Sequence, residues 1–164
     1  MVGGIVDAFK YDVAQVIINC RANAYVYQQY SHRLVGDAIP DAGPCAGITA
    51  LLAACQTPLL LILPCDVVDP PADLITRMLN QLSSTDHGVV LIDAAGRHNA
   101  CVLLRTSAAD AAWAYMRSGR RSLTGLFDSL LLQRLMHPTI VDLDSPMALE
   151  TYRRKRKAFT RAED

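Results

Sequence analysis

Short apolar runs alternate along the chain with longer stretches in which apolar residues recur at helical spacing. Residues 13–18 and 59–63 predict strands. The second run is apolar at every position, the pattern of a strand covered on both faces within a parallel sheet. Residues 88–92 and 100–104 predict two more strands, joined as a hairpin across 93–99, and residues 139–143 predict a last one. Asp69-Pro70-Pro71, with Asp73 in the first turn, predicts a helix running to Leu82. Ser107 with Asp110 predicts a capped helix closed by Gly119. Ser122 predicts the cap of a helix over 123–136, residues 48–55 read as an apolar helix, and Ser145-Pro146 opens a C-terminal one. This alternation predicts an α/β layered fold with a mostly parallel sheet. With no repeat or linker in the sequence, residues 1–164 read as a single domain.

Composition supports one aliphatic core. The 164 residues are 51% hydrophobic and 20% charged, with three Phe, six Tyr and one Trp. Lys+Arg and Asp+Glu both number 16, so net charge gives no argument for a nucleic-acid or membrane partner. The longest wholly apolar run, residues 59–63, is too short to span a bilayer, and the first eight residues lack a signal-peptide pattern. A cytoplasmic protein is expected. Cys20, Cys45, Cys55, Cys65 and Cys101 show no metal-binding spacing, and read as free thiols in a reducing compartment. The basic run Arg153-Arg154-Lys155-Arg156-Lys157 reads as a solvated helix end or a contact for an acidic partner.

Four features could carry chemistry. Asp66 follows the apolar run 59–63, placing a carboxylate at a strand exit, where α/β sheets bind ligands. Such a carboxylate suits Mg²⁺, which takes one or two carboxylates plus phosphate oxygens, or it serves as a turn cap. The stretch from Asp37 to Gly47 is rich in Gly and Pro and leads into an apolar helix. Gly43 and Gly47 leave room for a ligand near the backbone, or belong to an ordinary loop. Asn19 ends the run 13–18 and reads as a nucleoside contact or a turn residue. Arg120 and Arg121 pair as a phosphate clamp or mark a solvated helix junction. The histidines do not space like a metal site, and no nucleophile motif is present.

Three segments in order resemble the molybdenum cofactor guanylyltransferases: Val16-Ile17-Ile18-Asn19 with Arg21-Ala22-Asn23, Asp37 followed by Gly43-Pro44-Cys45-Ala46-Gly47, and Leu63-Pro64-Cys65-Asp66 followed by Pro70-Pro71. The resemblance covers nearly the whole chain. It implies a three-layer, Rossmann-like nucleotidyltransferase fold with helices on both faces of the sheet. It also implies transfer of GMP from GTP to molybdopterin with release of pyrophosphate. In that scheme Asp66 holds Mg²⁺ and serves catalysis, Asn19 and Asp37 hold guanosine, and Gly43 and Gly47 shape the loop. Arg120 and Arg121 face the pterin side. A sugar-nucleotide or cytidylyl transferase, or a non-catalytic nucleotide- or pterin-binding module, are the other readings. Partners beyond GTP and molybdopterin would be a second copy, a molybdoenzyme or a chaperone.

The sequence also departs from the family pattern. Asp142-Leu143-Asp144-Ser145-Pro146 stands where the family carries Asn-x-Asn-Thr-Pro, and Arg97-His98-Asn99 lacks the usual proline. The family opens with a strand and L-A-G-G-x-S-x-R-M-G-x-D-K, a segment that residues 1–164 do not contain. An upstream start or a truncated gene is the expectation. Each preorganised donor missing from such a loop costs roughly 3–4 kcal/mol in the transition state, so little catalysis is expected of these residues alone. The first strand would lie beside residues 13–18 and 59–63. The sheet is therefore expected to close around a gap there, or to have it filled by another chain.

Overall fold

A computed structural model of the protein describes residues 2–68, 70–93, 96, 98–136, 141–142 and 150. The chain opens with α1 (Val2–Phe9), β1 (Ile17–Asn19), the short α2 (Ala24–Tyr27) and β2 (Arg33–Val35). Next come α3 (Pro44–Ala54), β3 (Leu59–Ile62), β4 (Val67–Val68) and α4 (Leu74–Gln81). β5 (Gly88–Ile92) and β6 (His98–Arg105) form the expected antiparallel hairpin. After it lie α5 (Ala109–Arg117), α6 (Leu123–Ser129), β7 (Leu132–Met136) and β8 (Val141–Asp142).

The main sheet has the order β3-β6-β5-β7. β6 runs antiparallel to both neighbours while β5 and β7 are parallel, so three of the four strands share one direction. β1 and β2 pair in parallel as a separate ribbon, and β4 pairs with β8 antiparallel. Side chains alternate across the main sheet, as the two-residue period requires. Val90, Val102 and Leu104 pack with Ile48 and Leu52 of α3, Tyr115 and Met116 of α5, and Phe127 of α6. Val89, Leu91, Cys101 and Leu103 pack on the other face with Phe9 of α1 and Leu74 and Met78 of α4. Helices thus cover both faces, giving the three expected layers. Each fully buried Leu or Met here contributes about 1.5–3 kcal/mol.

The strand expected over 13–18 is confined to Ile17–Asn19. Its pairing with β2 is locked by Ser31, whose hydroxyl donates to Val16 O at 2.6 Å and accepts from Arg33 N at 3.0 Å. Arg33 in turn donates to Ala54 O at 2.6 Å and to Gln15 and Gln56, placing a cation at the C-terminus of α3.

Four expected helix boundaries shift. α3 begins at Pro44 rather than residue 48, because proline at the first helical position needs no hydrogen-bond partner for a missing N–H. α4 begins at Leu74, so Pro70 and Pro71 precede the helix and Asp73 is its N-cap residue. α5 is entered through a 3₁₀ turn, Thr106–Ala108, with no side-chain cap from Ser107. Gly119 closes it with φ 84°, its N–H donating to Met116 O at 3.1 Å. Ser122 caps α6 through its hydroxyl, which accepts from Gly125 N at 3.3 Å. That helix ends at Ser129, because residues 132–136 pair in parallel with β5 as β7. The cap at Asp69 and the helix from Ser145 with its basic run lie outside the described residues. Of the strand expected over 139–143, Val141–Asp142 are described, and both are strand.

Among the described residues, β1 pairs only with β2 and β3 only with β6. A cavity of about 960 Å³ is lined by both β1 and β3. No helix among the described residues is long and apolar enough to cross a membrane.

Candidate functional site

The site forms where β1, the loop after β2, and the start of α3 meet. Asn19, the last residue of β1, donates through Nδ2 to Asp37 Oδ1 at 3.1 Å and to Val35 O at 3.3 Å. With its amide nitrogen committed, Asn19 turns its carbonyl oxygen toward Gly47. A Cβ on Gly47 would lie 2.6 Å from Asn19 Oδ1 and 3.5 Å from Asp37 Oδ1. Gly47 is therefore required by close approach rather than by conformation. Gly43 serves differently. Its φ of 73° and ψ of −166° fall in a region open to glycine alone, and this turn feeds the chain into Pro44. The loop is stitched to the helix by Ala38 N–H, which donates to Ala46 O at 3.2 Å.

The Asp37 side chain is only 8% exposed. Its second oxygen lies 4.0 Å from Arg21 Nε, and Arg21 NH1 lies 4.0 Å from Asp41. Arg21 is largely exposed, so these ion pairs contribute at most about 1 kcal/mol each. Arg21 belongs to a segment that carries the family resemblance, yet the sequence alone assigned it no role of its own. Its position two residues after Asn19 was visible, but nothing in the spacing pointed to Asp41.

Asp66 stands four residues beyond β3, half-buried, and lines the same cavity as Asn19, Pro44 and Gly47. Among the described residues no cluster of three or more His, Cys, Asp or Glu could enclose a metal. A lone strand-end carboxylate fits Mg²⁺ when the remaining ligands are phosphate oxygens and water, the arrangement this ion favours.

Arg120 and Arg121 are not among the residues that line this cavity, although Arg121 lies against the start of α3. Arg120 donates to Ser118 Oγ at 2.9 Å and stacks 4.5 Å above the Tyr115 ring. Arg121 donates to Met116 O at 2.8 Å and to Arg120 O at 2.7 Å, covering the C-terminus of α5. Its own carbonyl accepts from the Cys45 thiol at 3.3 Å, tying the α5–α6 junction to α3. Burial pushes the Cys45 thiol above its ordinary value, partly offset by the Arg121 charge. None of the five cysteines is in a disulfide; Cys45 and Cys101 are buried and Cys65, beside Asp66, is exposed.

The chain is 36% identical over 115 residues to a molybdenum cofactor guanylyltransferase of Cupriavidus metallidurans, covering 66% of this chain and 57% of that protein. It is 35% identical over 148 residues to the Pseudomonas fluorescens protein of that name, covering 83% of this chain and 71% of that one. The chain thus spans little more than half the length of the first of these relatives. In fold it is similar to the crystal structure of molybdopterin-guanine dinucleotide biosynthesis protein A from Archaeoglobus fulgidus. The TM-score is 0.69 at 14% identity, over 90% of this chain and 81% of that one. A putative protein of Aquifex aeolicus superposes with a TM-score of 0.73 at 10% identity, over 86% of this chain and 77% of that one. The MobA-like NTP transferase domain matches residues 1–135, and the chain belongs to that family.

Proposed function

We propose that the protein binds GTP between β1 and α3 and serves the transfer of GMP to molybdopterin. In this reaction the terminal phosphate oxygen of molybdopterin forms a bond to the α-phosphorus of GTP. The bond from that phosphorus to the bridging oxygen breaks, and pyrophosphate leaves. The observation that carries the reading is that Asn19, Gly47 and Asp66, from three separate segments, border one cavity, with Asp37 bonded directly to Asn19.

Each residue has a distinct task. Asp37 and Asn19 Oδ1 are acceptors for the N–H groups of a guanine base or for ribose hydroxyls. Gly47 keeps that position open. Asp66 would hold Mg²⁺, whose charge offsets that of the triphosphate. A cytosolic setting suits both the free thiols and the nucleotide.

The test is pyrophosphate release from GTP in the presence of molybdopterin, with CTP and ATP in parallel. Release that requires both GTP and molybdopterin supports the reading. Release from CTP instead would assign the chain to a cytidylyl transferase.

A further inference from the structure

We propose that Arg21 selects the base of the bound nucleotide by donating to the O6 oxygen of guanine, an assignment that rests on the nucleotide reading given above. Asp37 is the starting point. Its side chain is only 8% exposed, and its Oδ1 is engaged by Asn19 Nδ2 at 3.1 Å. Among the described residues Oδ2 accepts no hydrogen bond, and the cation beside it, Arg21 Nε, stands 4.0 Å away. That distance is too long for a hydrogen bond. A carboxylate oxygen so withdrawn from water and left without a donor points to a ligand that supplies one.

The Arg21 guanidinium is held in place without being consumed. Its NH1 lies 4.0 Å from Asp41 Oδ1, so the side chain stands between two carboxylates. Asp41 sits in the left-handed region with φ 54°, which Asp tolerates better than most residues, in the loop that leads to Gly43. It acts as a positioning residue for Arg21. Neither ion pair is at hydrogen-bond length, so the donors of Arg21 remain open to a ligand.

Spatial order decides the base. Asp37 meets Asn19 through one oxygen and Arg21 through the other. The three groups therefore run donor, acceptor, acceptor: the Arg21 guanidinium, Asp37 Oδ2 and Asn19 Oδ1. The Watson–Crick edge of guanine runs acceptor, donor, donor, through O6, N1–H and the 2-amino group, and satisfies all three. Cytosine and adenine, read in either direction, set the acceptor of their central ring nitrogen against Asp37. Uracil sets a carbonyl oxygen against Asn19 Oδ1.

The test is titration of the parent protein and of Arg21→Met with GTP, ITP and 2-aminopurine riboside triphosphate, all with Mg²⁺. ITP keeps O6 and lacks the 2-amino group. 2-Aminopurine keeps that group and lacks O6, and its own fluorescence reports weak binding. The expected result is that Arg21→Met weakens GTP and ITP about tenfold or more, and the 2-aminopurine nucleotide by less than about twofold. Weakening of all three by one factor would mean that Arg21 acts on the triphosphate charge or on the fold, and overturns the assignment. Unchanged affinity for GTP overturns it too. A parent protein that binds GTP no more tightly than ATP defeats the nucleotide reading itself, and the assignment with it.

Discussion

Asn19 and Asp37 are joined by a hydrogen bond of 3.1 Å that links the end of β1 to the loop after β2, and it sets which end of the Asn19 amide faces α3. Both side chains are at least partly withdrawn from water, and the acceptor is charged. A double-mutant cycle with Asn19→Ala and Asp37→Ala should give a coupling of about 1–2 kcal/mol in urea unfolding. Additive effects would mean that the bond does not order the site.

Gly47→Ala places a methyl group 2.6 Å from Asn19 Oδ1. Alanine is the better helix former by up to about 1 kcal/mol, which offsets part of the strain. The variant should therefore melt within a few degrees of the parent while binding GTP about tenfold or more weakly. Parent-like affinity by calorimetry would show that Asn19 swings aside at no cost to the site.

Much of this site was legible in the sequence, because each residue sits at a place where sequence speaks. Asn19 and Asp66 close apolar runs, and Gly43 and Gly47 frame a proline. The convergence of Asn19 with Gly47 was not legible, since it depends on β1 and α3 packing across 28 positions of chain. Residues 123–136 show the converse. Leu132-Gln133-Arg134-Leu135-Met136 satisfies helical and strand patterns alike, and no Gly or Pro marks the break after Ser129. Pairing with β5 decides it. β2 and β4, at three and two residues, are too short to show any period.

Asp86 should set the acid limb of stability. Hydrogen bonds from Ser83 hold its carboxyl below the ordinary value of 3.8, with Gln133 and the Arg105 charge adding to the effect. A folded value below the unfolded one stabilises fully above the ordinary value and is lost as pH falls through the folded one. Asp86→Asn should lower the melting temperature at pH 6 and lessen its fall below about pH 4. Parallel curves for variant and parent would contradict this.

The thiols should react in an order set by burial. Cys65 is exposed, while Cys45 and Cys101 are buried, and the raised Cys45 value keeps that thiol protonated at neutral pH. Iodoacetamide labelling read by mass spectrometry should modify Cys65 first and spare Cys45 and Cys101 until denaturant is added. Because Cys65 borders the cavity beside Asp66, GTP with Mg²⁺ should slow its labelling. Unchanged labelling would place the nucleotide elsewhere.

The claim that Asn19, Asp37 and Asp66 serve one nucleotide site is tested most directly by calorimetric titration of the protein with GTP, with and without Mg²⁺, and with ATP and CTP as controls. The account predicts binding that is selective for GTP, strengthened by Mg²⁺, and stripped of its metal dependence by Asp66→Ala. Binding of GTP that is indifferent to Mg²⁺ and to Asp66→Ala, or equal affinity for all three nucleotides, would contradict it.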